Sequence, residues 1–309
     1  MLDSKPEAGI ARRRRQSRAR QRHVPTRSRM TWWRRRSPWL RALTYLVLVT
    51  VAVLYIYPFL IELGTAFKTN PDATAHAANP IPHNWMIAAF TQLSDAGFPH
   101  WFENSVYLAV SVTVGRLVFD SMAGYALSRI RFRGRRALFA AFVAVLGVPG
   151  IVLLIPRFLV YLQLGIYNTY TGMIIPLITD AAGVFIMKQF FESIPESLEE
   201  AARIDGAGVI RIYWSIMLPI ARPALMTLAI LSFQGSWNDF ADILVAEQNP
   251  SLDTLTTGVG RLVSGQLGAA STEYPLKMAA ALLMTLPVAI IFFTFQRYIV
   301  RTGEGATKE

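Results

Sequence analysis

Residues able to do covalent chemistry are scarce in this sequence of 309 residues. It contains no cysteine, which excludes disulfides, thiolate metal sites and cysteine nucleophiles. It also lacks the G-x-x-x-x-G-K-[ST] pattern of a phosphate-binding loop. His76, His83 and His100 are widely spaced, and we expect them to be exposed, to have no acidic partner nearby and to form no metal site. We predict no catalytic residue and no cofactor bound by this chain.

Polar residues inside apolar segments offer a different chemistry, hydrogen bonding to a solute. Charges at membrane depth are costly and therefore pair or face a cavity. Arg116 and Asp120 lie four residues apart on one helical face, and we predict an ion pair between them; the alternative is a place on a solute pathway. Better pathway candidates supply amide, carboxylate or aromatic groups, although hydrogen bonding between helices is their alternative role. These candidates are Asp180, Gln234, Trp237, Asn238, Asp239 and the neighbouring Asp242.

The most specific spacing lies in residues 193–225, which read SIPESLEEAARIDGAGVIRIYWSIMLPIARPAL. Ser193 and Glu196 have the spacing of a capping box, which predicts a short helix from there to Asp205. Gly206 suits the end of that helix, because glycine accepts the left-handed conformation. A second helix is predicted from about Gly208.

One face of this short helix is suited to contact with another protein. Leu198, Ala201, Ala202 and Asp205 share the face, while Glu199 and Arg203 can pair elsewhere on the helix. Ala201, Ala202 and Gly206 have little side chain, so that a partner could approach the backbone closely. The alternative is that the helix packs only against its own neighbours.

The apolar segments that hold the candidate pathway residues are predicted to lie in a membrane. Hydrophobic residues make up 53% of the chain and charged residues 17%, against roughly 25% charged in soluble domains. Mean hydropathy is +0.34. About 20 apolar residues cross a hydrocarbon core of about 30 Å, and residues 42–61 contain no charge. Six spans fit best, at 40–66, 105–128, 137–161, 170–192, 222–246 and 278–300.

The distribution of Lys and Arg predicts the orientation of these spans. With both termini in the cytoplasm, 26 of the 31 basic residues lie on the inside. Fourteen of them precede residue 42, next to the first apolar run, which favours a topology signal that touches anionic lipid over nucleic-acid binding. We expect residues 1–39 to be a disordered cytoplasmic tail, 40–66 an uncleaved first transmembrane helix, and 67–103 an extracytoplasmic loop.

The loop at residues 193–221 resembles the EAA loop of binding-protein-dependent ABC importers. That family has E-A-A, three residues, G, nine residues and I-x-L-P. This chain has Glu200-Ala201-Ala202, Gly206 and Ile216-Met217-Leu218-Pro219 at the same spacing. The resemblance implies an all-α, polytopic membrane protein with six transmembrane helices and the type I ABC importer permease fold. Its permease core would be 104–297 and its cytoplasmic C-terminal tail 298–309.

The resemblance also implies partners and residue roles. The EAA loop would be seated in a cytoplasmic ABC ATPase dimer, which uses ATP and Mg. The assembly would also include a second homologous permease subunit or a second copy of this chain. An extracytoplasmic solute-binding protein would complete it. The bacterial plasma (inner) membrane is its expected location. The implied ATPase-coupling residues are Glu200, Ala201, Ala202, Asp205, Gly206, Leu218 and Pro219.

Further stretches resemble the MalG-like carbohydrate permeases. They are Asn104-Ser105, residues 123–129, 131–135 and 237–240, Pro287, Gln296-Arg297-Tyr298 and residues 305–308. This branch implies a carbohydrate as the substrate. The alternatives are an ABC permease for another solute, or a channel or proton-coupled carrier that needs no ATPase.

Overall fold

The computed structural model describes residues 38–266, 268 and 273–304, with the backbone alone at 296–304. Every regular element in this part of the chain is helical. The arginine-rich tail up to Ser37 and the C-terminal residues 305–309 lie outside the described residues. The predictions made for them, including the tail that resembles the MalG-like branch, therefore stay predictions.

Fifteen α-helices, numbered along the chain, form the described part. They are α1 Pro38–Ala66, α2 Asn70–Ala75, α3 Ala88–Asp95, α4 Phe98–Arg129, α5 Arg135–Leu146, α6 Leu154–Leu164, α7 Tyr170–Ile174, α8 Ala181–Ser193, α9 Ser197–Ile204, α10 Val209–Ile212, α11 Leu218–Ile220, α12 Arg222–Trp237, α13 Ala241–Ala246, α14 Leu255–Val263 and α15 Tyr274–Glu304. A π-helical turn at Tyr213–Met217 joins α10 to α11. Short 3₁₀ turns occupy Gly150–Leu153, Ile175–Leu177 and Pro250–Leu252.

The number of apolar helices is compatible with six spans. Four segments are long and apolar enough to cross a membrane by themselves: Pro38–Ala66, Phe98–Arg129, Tyr170–Ser193 and Tyr274–Phe295. Two bent pairs complete the six if each counts as one span. The all-α, polytopic fold class is confirmed.

The predicted third span, 137–161, and the predicted fifth span, 222–246, are each interrupted in the structure. Arg135–Leu146 and Gly150–Leu164 meet at 101°. Pro149 lies between them with a glycine on its C-terminal side, and proline cannot continue a helical hydrogen-bond ladder. Val209–Ile220 meets Arg222–Trp237 at 78°. The helix of the fifth span ends at Trp237 and a separate helix begins at Ala241.

The chain divides into two compact units, with the boundary between Tyr57 and Pro58. In the first unit, the described residues form the N-terminal part of α1, and its apolar side chains are largely exposed. In the second unit, α4 packs along α8 and α12, and α12 also packs along α15. Because α4 is central, its side chains reach both α8 and the residues that follow α8.

Glycines on α4 and α8 permit the close packing of these two helices. A Cβ atom on Gly124 would lie 2.7 Å from Cβ of Met187, and one on Gly115 would lie 2.7 Å from Cβ of Ile178. On α8, Gly183 packs directly against the carboxylate of Asp120. Small residues let helix backbones approach closely, as is usual between membrane helices.

Candidate functional site

The EAA loop, residues 193–221, folds as two short helical segments separated by a left-handed glycine. Helix α9 covers Ser197–Ile204 and is followed by Asp205 and by Gly206, whose φ of 80° lies in the left-handed region. The predicted helix end at Gly206 is therefore confirmed. The predicted capping box is wrong, because Ser193 is the last residue of α8 and its hydroxyl donates to the carbonyl of Phe190.

The two sides of α9 have different surroundings. Glu199 and Ala202 are buried, whereas Glu200, Ala201, Asp205 and Gly206 are exposed. The prediction that Ala202 shares an open face with Ala201 is wrong, since the Ala202 side chain packs into the hydrophobic cluster formed by α4, α8 and α12. A Cβ atom on Gly206 would have no neighbour within 4 Å.

Exposed apolar side chains lie on both sides of the glycine along the chain. The side chains of Ile204 and Ile210 are 86% and 76% exposed, although isoleucine is usually buried. Leu198, Val209 and Trp214 are also exposed. Pro219 is exposed and Leu218 half-buried at the end of the loop. Grouped exposed apolar residues are typical of surfaces that contact a partner.

Arg129, at the C-terminal end of α4, binds the inner side of the EAA loop. Its guanidinium donates to the carbonyl oxygens of Phe191 and Ile194. Its Nε lies 3.4 Å from a carboxylate oxygen of Glu199, and both side chains are only 6% exposed. Burial raises the pKa of Glu199, and the charges of Arg129 and Arg203 oppose that rise. Arg203 lies 3.5 Å from Glu199, so the predicted pairing of these two residues is confirmed.

The sequence interpretation did not identify this role of Arg129 and Glu199. The signal was available, since Arg129 ends the stretch 123–129 that resembles sugar permeases, and Glu199 directly precedes the E-A-A motif. An aromatic cluster adds to the same connection between α4 and the loop. The ring of Tyr125 lies 5.7 Å from that of Phe191 and 5.2 Å from that of Tyr213.

Arg116 and Asp120 do not form the ion pair that the sequence predicted. The guanidinium Nε of Arg116 donates to the carbonyl of Leu177 at 2.8 Å. One oxygen of Asp120 accepts from the Thr179 hydroxyl at 2.8 Å and from the backbone N–H of Asp180 at 3.0 Å. The fourth span is interrupted between Leu177 and Ala181, and these two side chains of α4 bind backbone groups that the interruption frees.

The candidate pathway residues are not all available to a solute. Gln234 and Asn238 are exposed and lie four residues apart, whereas Asp180 and Asp239 are half-buried. Trp237 is only 2% exposed, and its indole N–H donates to the carbonyl of Met284 at 3.1 Å. Of the two roles expected for Trp237, the structure shows hydrogen bonding between helices, because its ring stacks on Phe233 and joins α12 to α15.

An exposed aromatic residue lies three positions further on. Phe240 is 44% exposed and borders a pocket of about 510 Å³, whose polar lining includes Gln248, Thr257 and Arg261. The breaks on either side of Phe240, at the end of α12 and the start of α13, turn this ring outward. Asp242, in the first turn of α13, forms an ion pair with Arg157 of α6.

The histidines of the first loop are closer to an acidic group than the sequence interpretation assumed. His76 and His83 both lie within hydrogen-bond distance of Asp72. His100 is elsewhere, with its Nε2 atom 2.6 Å from the carbonyl of Ser251. The assumption that these histidines lack an acidic partner is wrong for two of the three.

Comparisons with known proteins point to membrane transport. A family model described as "Binding-protein-dependent transport system inner membrane component" matches residues 120–302. The chain is 31% identical over 271 residues to the arabinooligosaccharides transport system permease protein AraQ of Halalkalibacterium halodurans, covering 86% of this chain and 96% of AraQ. It is 30% identical to the diacetylchitobiose uptake system permease protein NgcG of Streptomyces coelicolor, covering 86% of this chain and 88% of NgcG.

A solved structure has a similar fold. It is the crystal structure of a bacterial ABC transporter involved in the import of the acidic polysaccharide alginate. One chain of it matches with a TM-score of 0.74 and 25% sequence identity, over 84% of this chain and 96% of that chain.

Proposed function

This chain belongs to the family of binding-protein-dependent transport system inner membrane components and is an ABC importer permease; from that premise we propose that it carries a carbohydrate, driven by ATPase subunits that are separate chains. Coupling to the ATPase is proposed from the two sides of the EAA loop. Its outer side holds an open left-handed glycine among exposed apolar residues, while its inner side is held to α4 by Arg129.

The proposed mechanism is alternating access. ATP binding favours one arrangement of the spans and hydrolysis releases it, since a ligand shifts a two-state equilibrium by its differential affinity for the states. In this mechanism the ATPase dimer, which also binds Mg²⁺, contacts Glu200, Ala201, Asp205 and Gly206. Displacement of α9 reaches α4 through Arg129 and Glu199, and α4 contacts both α8 and α12.

The proposed assembly has three further components. A second homologous permease subunit, or a second copy of this chain, pairs with the membrane-spanning part. A solute-binding protein docks on the outer side and delivers the substrate. Both termini of the permease lie in the cytoplasm, as the 26 of 31 basic residues assigned to the inside favour.

The proposal of a carbohydrate rests on the relatives and on the polar groups available. AraQ and NgcG are named for oligosaccharide transport and uptake. Gln234 on α12 and Asn238 directly after it are exposed amides, and Phe240 is an exposed aromatic residue two positions further on. Amides and an aromatic face are the groups expected in a sugar-binding site, which combines apolar contact with a few placed polar groups.

The coupling proposal is tested by the substitution Gly206→Arg. A long side chain at this open position would separate the EAA loop from a docked ATPase, and the left-handed conformation adds about 1–2 kcal/mol of strain. We expect the variant to reach the membrane, to fail to co-purify with the ATPase and to lose uptake. Gly165→Arg is the matched control, because Gly165 also has a left-handed φ, of 66°, and open surroundings.

The two variants separate coupling from folding. Gly165 follows α6 in a turn predicted to lie outside, so Gly165→Arg should retain the ATPase. Normal uptake and normal ATPase retention in the Gly206→Arg variant would contradict the proposal. Substrate class is tested by competition, in which unlabelled oligosaccharides, but not amino acids or polyamines, should reduce uptake by the assembled transporter.

A further inference from the structure

The segment between α1 and α3 brings three metal-ligating side chains together. The Nδ1 atom of His76 lies 3.0 Å from Oδ1 of Asp72, and the Nδ1 atom of His83 lies 2.7 Å from the same oxygen. The two imidazole rings are 4.5 Å apart, centroid to centroid. Each of the three residues offers one ligand atom, and these three atoms all lie within 4.8 Å of one another.

Local structure holds this cluster in place. Helix α2 carries Asp72 in its first turn and is followed by His76 as its C-cap, which places the two residues four positions apart. Lys68 is 2% exposed, and its ammonium donates to the carbonyl oxygens of His76 at 2.8 Å and Asn79 at 2.5 Å. The backbone N–H of His83 donates to the second oxygen of Asp72 at 3.2 Å.

We propose that Asp72, His76 and His83 form a binding site for a divalent transition-metal ion of the zinc type. Tetrahedral zinc has metal–ligand distances of about 2.0–2.2 Å, which separates neighbouring ligand atoms by about 3.3 Å. The separations of 3.0 Å and 2.7 Å reach that value with shifts of a few tenths of an ångström in side chains. Both histidines are about half exposed, so an ion can reach the site and water can supply the fourth ligand.

The type of ligand decides which ions fit. Two imidazoles and one carboxylate suit zinc, copper and nickel, whereas magnesium and calcium select sites made of oxygen ligands. The bound ion would bridge the end of α2 and the turn before α3. The same segment contacts the last helix, since the backbone N–H of Tyr274 donates to the side-chain oxygen of Asn70 at 3.1 Å. An ion in this site therefore stabilises a surface loop next to the start of α15.

The experiment uses the full chain in detergent micelles, purified without a histidine tag and treated with a chelator. Zinc is titrated in competition with a chromogenic chelator. We expect one zinc ion per chain with a micromolar Kd, unaffected by millimolar Mg²⁺. His76→Ala and His83→Ala should each raise the Kd by about tenfold or more, as loss of a direct ligand should cost at least as much as loss of its supporting contacts. X-ray absorption should show two imidazole nitrogens around the ion.

The matched control is His100→Ala, which removes a histidine in the first turn of α4, away from the cluster. The chain has four histidines and no cysteine, so few other side chains can bind zinc tightly. The proposal is overturned if zinc does not bind at about 100 µM, which is about a hundredfold above a Kd of about 1 µM. It is also overturned if the His76 and His83 variants bind as the wild type does, or if His100→Ala weakens binding equally.

Discussion

Arg129 connects the C-terminal end of the long central helix α4 to the EAA loop through a buried ion pair. Its guanidinium donates to the carbonyls of Phe191 and Ile194 and forms an ion pair with the carboxylate of Glu199. Breaking a buried ion pair by removing one partner costs about 3–5 kcal/mol, because the other charge stays buried without compensation. We expect Arg129→Ala to lower the free energy of unfolding by about this amount, as measured by denaturant unfolding in micelles.

Arg203→Ala is the matched control for this prediction. Arg203 pairs with the same Glu199, but its side chain is 57% exposed, and exposed pairs contribute about 0–1 kcal/mol. Arg129→Lys should recover only part of the loss, because an ammonium cannot present the planar fork of donors. Equal effects of Arg129→Ala and Arg203→Ala would show that burial does not decide the strength of these contacts.

Glu247, just after α13, is buried beside another acid. It is fully buried and faces Asp253, Thr257 and Arg261. Burial, reinforced by the neighbouring Asp253 carboxylate and opposed by Arg261, raises the pKa of Glu247 from 4.5 to about 7. The folded chain therefore binds this proton more tightly than the unfolded chain, and the stability that it contributes is lost as the pH rises towards 7 and above.

We expect the melting temperature to fall as the pH rises from about 4.5 to about 7, where the folded chain holds this proton and the unfolded chain does not, and to level off at higher pH. Glu247→Gln, which is always neutral, should flatten this dependence in thermal unfolding experiments in micelles. Glu103→Gln, at an exposed glutamate of α4, should keep the wild-type slope. An unchanged pH dependence in the Glu247→Gln variant would exclude this carboxyl as its source.

At the scale of elements, the contact between α4 and α8 depends on the absence of side chains. A Cβ atom on Gly124 would lie 2.7 Å from Met187 Cβ and 2.8 Å from the backbone nitrogen of Lys188. Since a backbone atom cannot move aside as a side-chain tip does, Gly124→Ala should destabilise the fold by about 1–3 kcal/mol, the usual cost of overpacking. The measurement is denaturant unfolding of the purified chain.

Gly150→Ala is the comparison for this helix contact, because a Cβ atom there would meet nothing within 4 Å. It should leave the free energy of unfolding nearly unchanged. If Gly124→Ala is equally well tolerated, the two helices are not as closely packed as the structure indicates.

Interrupted helices set where polar groups can lie. The fourth span breaks between Leu177 and Ala181, and the fifth breaks between Trp237 and Ala241. Each break frees backbone groups that need partners within a membrane. Arg116 and Asp120 supply partners at the first break, and the Asp239 side chain accepts from the backbone of Asp242 at the second. Polar residues in these spans therefore stabilise irregular backbone as well as being candidates for contact with a solute.

At the scale of the whole molecule, the orientation of the spans can be tested with introduced cysteines. The native chain has none, so an unmodified background is available. Ser94 lies in the predicted outer loop and Ser197 in the EAA loop, and both are exposed. We expect a membrane-impermeant maleimide to label the Ser94→Cys variant in intact cells and the Ser197→Cys variant only after permeabilisation. Labelling of Ser197→Cys in intact cells would contradict an inside EAA loop.

The sequence by itself determined the helical membrane class, the approximate position of each apolar segment and the Gly206 turn. These features depend on local composition and spacing: apolar runs long enough to cross a membrane, and a glycine where the chain must be left-handed. The family also followed from local spacing, in the E-A-A, glycine and I-x-L-P positions of the EAA loop.

The tertiary structure decided which polar residues meet. Arg116 binds Leu177, 61 positions away, rather than its helical neighbour Asp120, and Trp237 donates to Met284 rather than facing a solute. Asp72 binds His83 across eleven positions, and the buried Lys68 ammonium binds carbonyl oxygens of the intervening turn. A hydrogen bond depends on where backbone groups become free, and that depends on how helices break and pack. Periodicity along one segment carries no information about the group that the next segment presents.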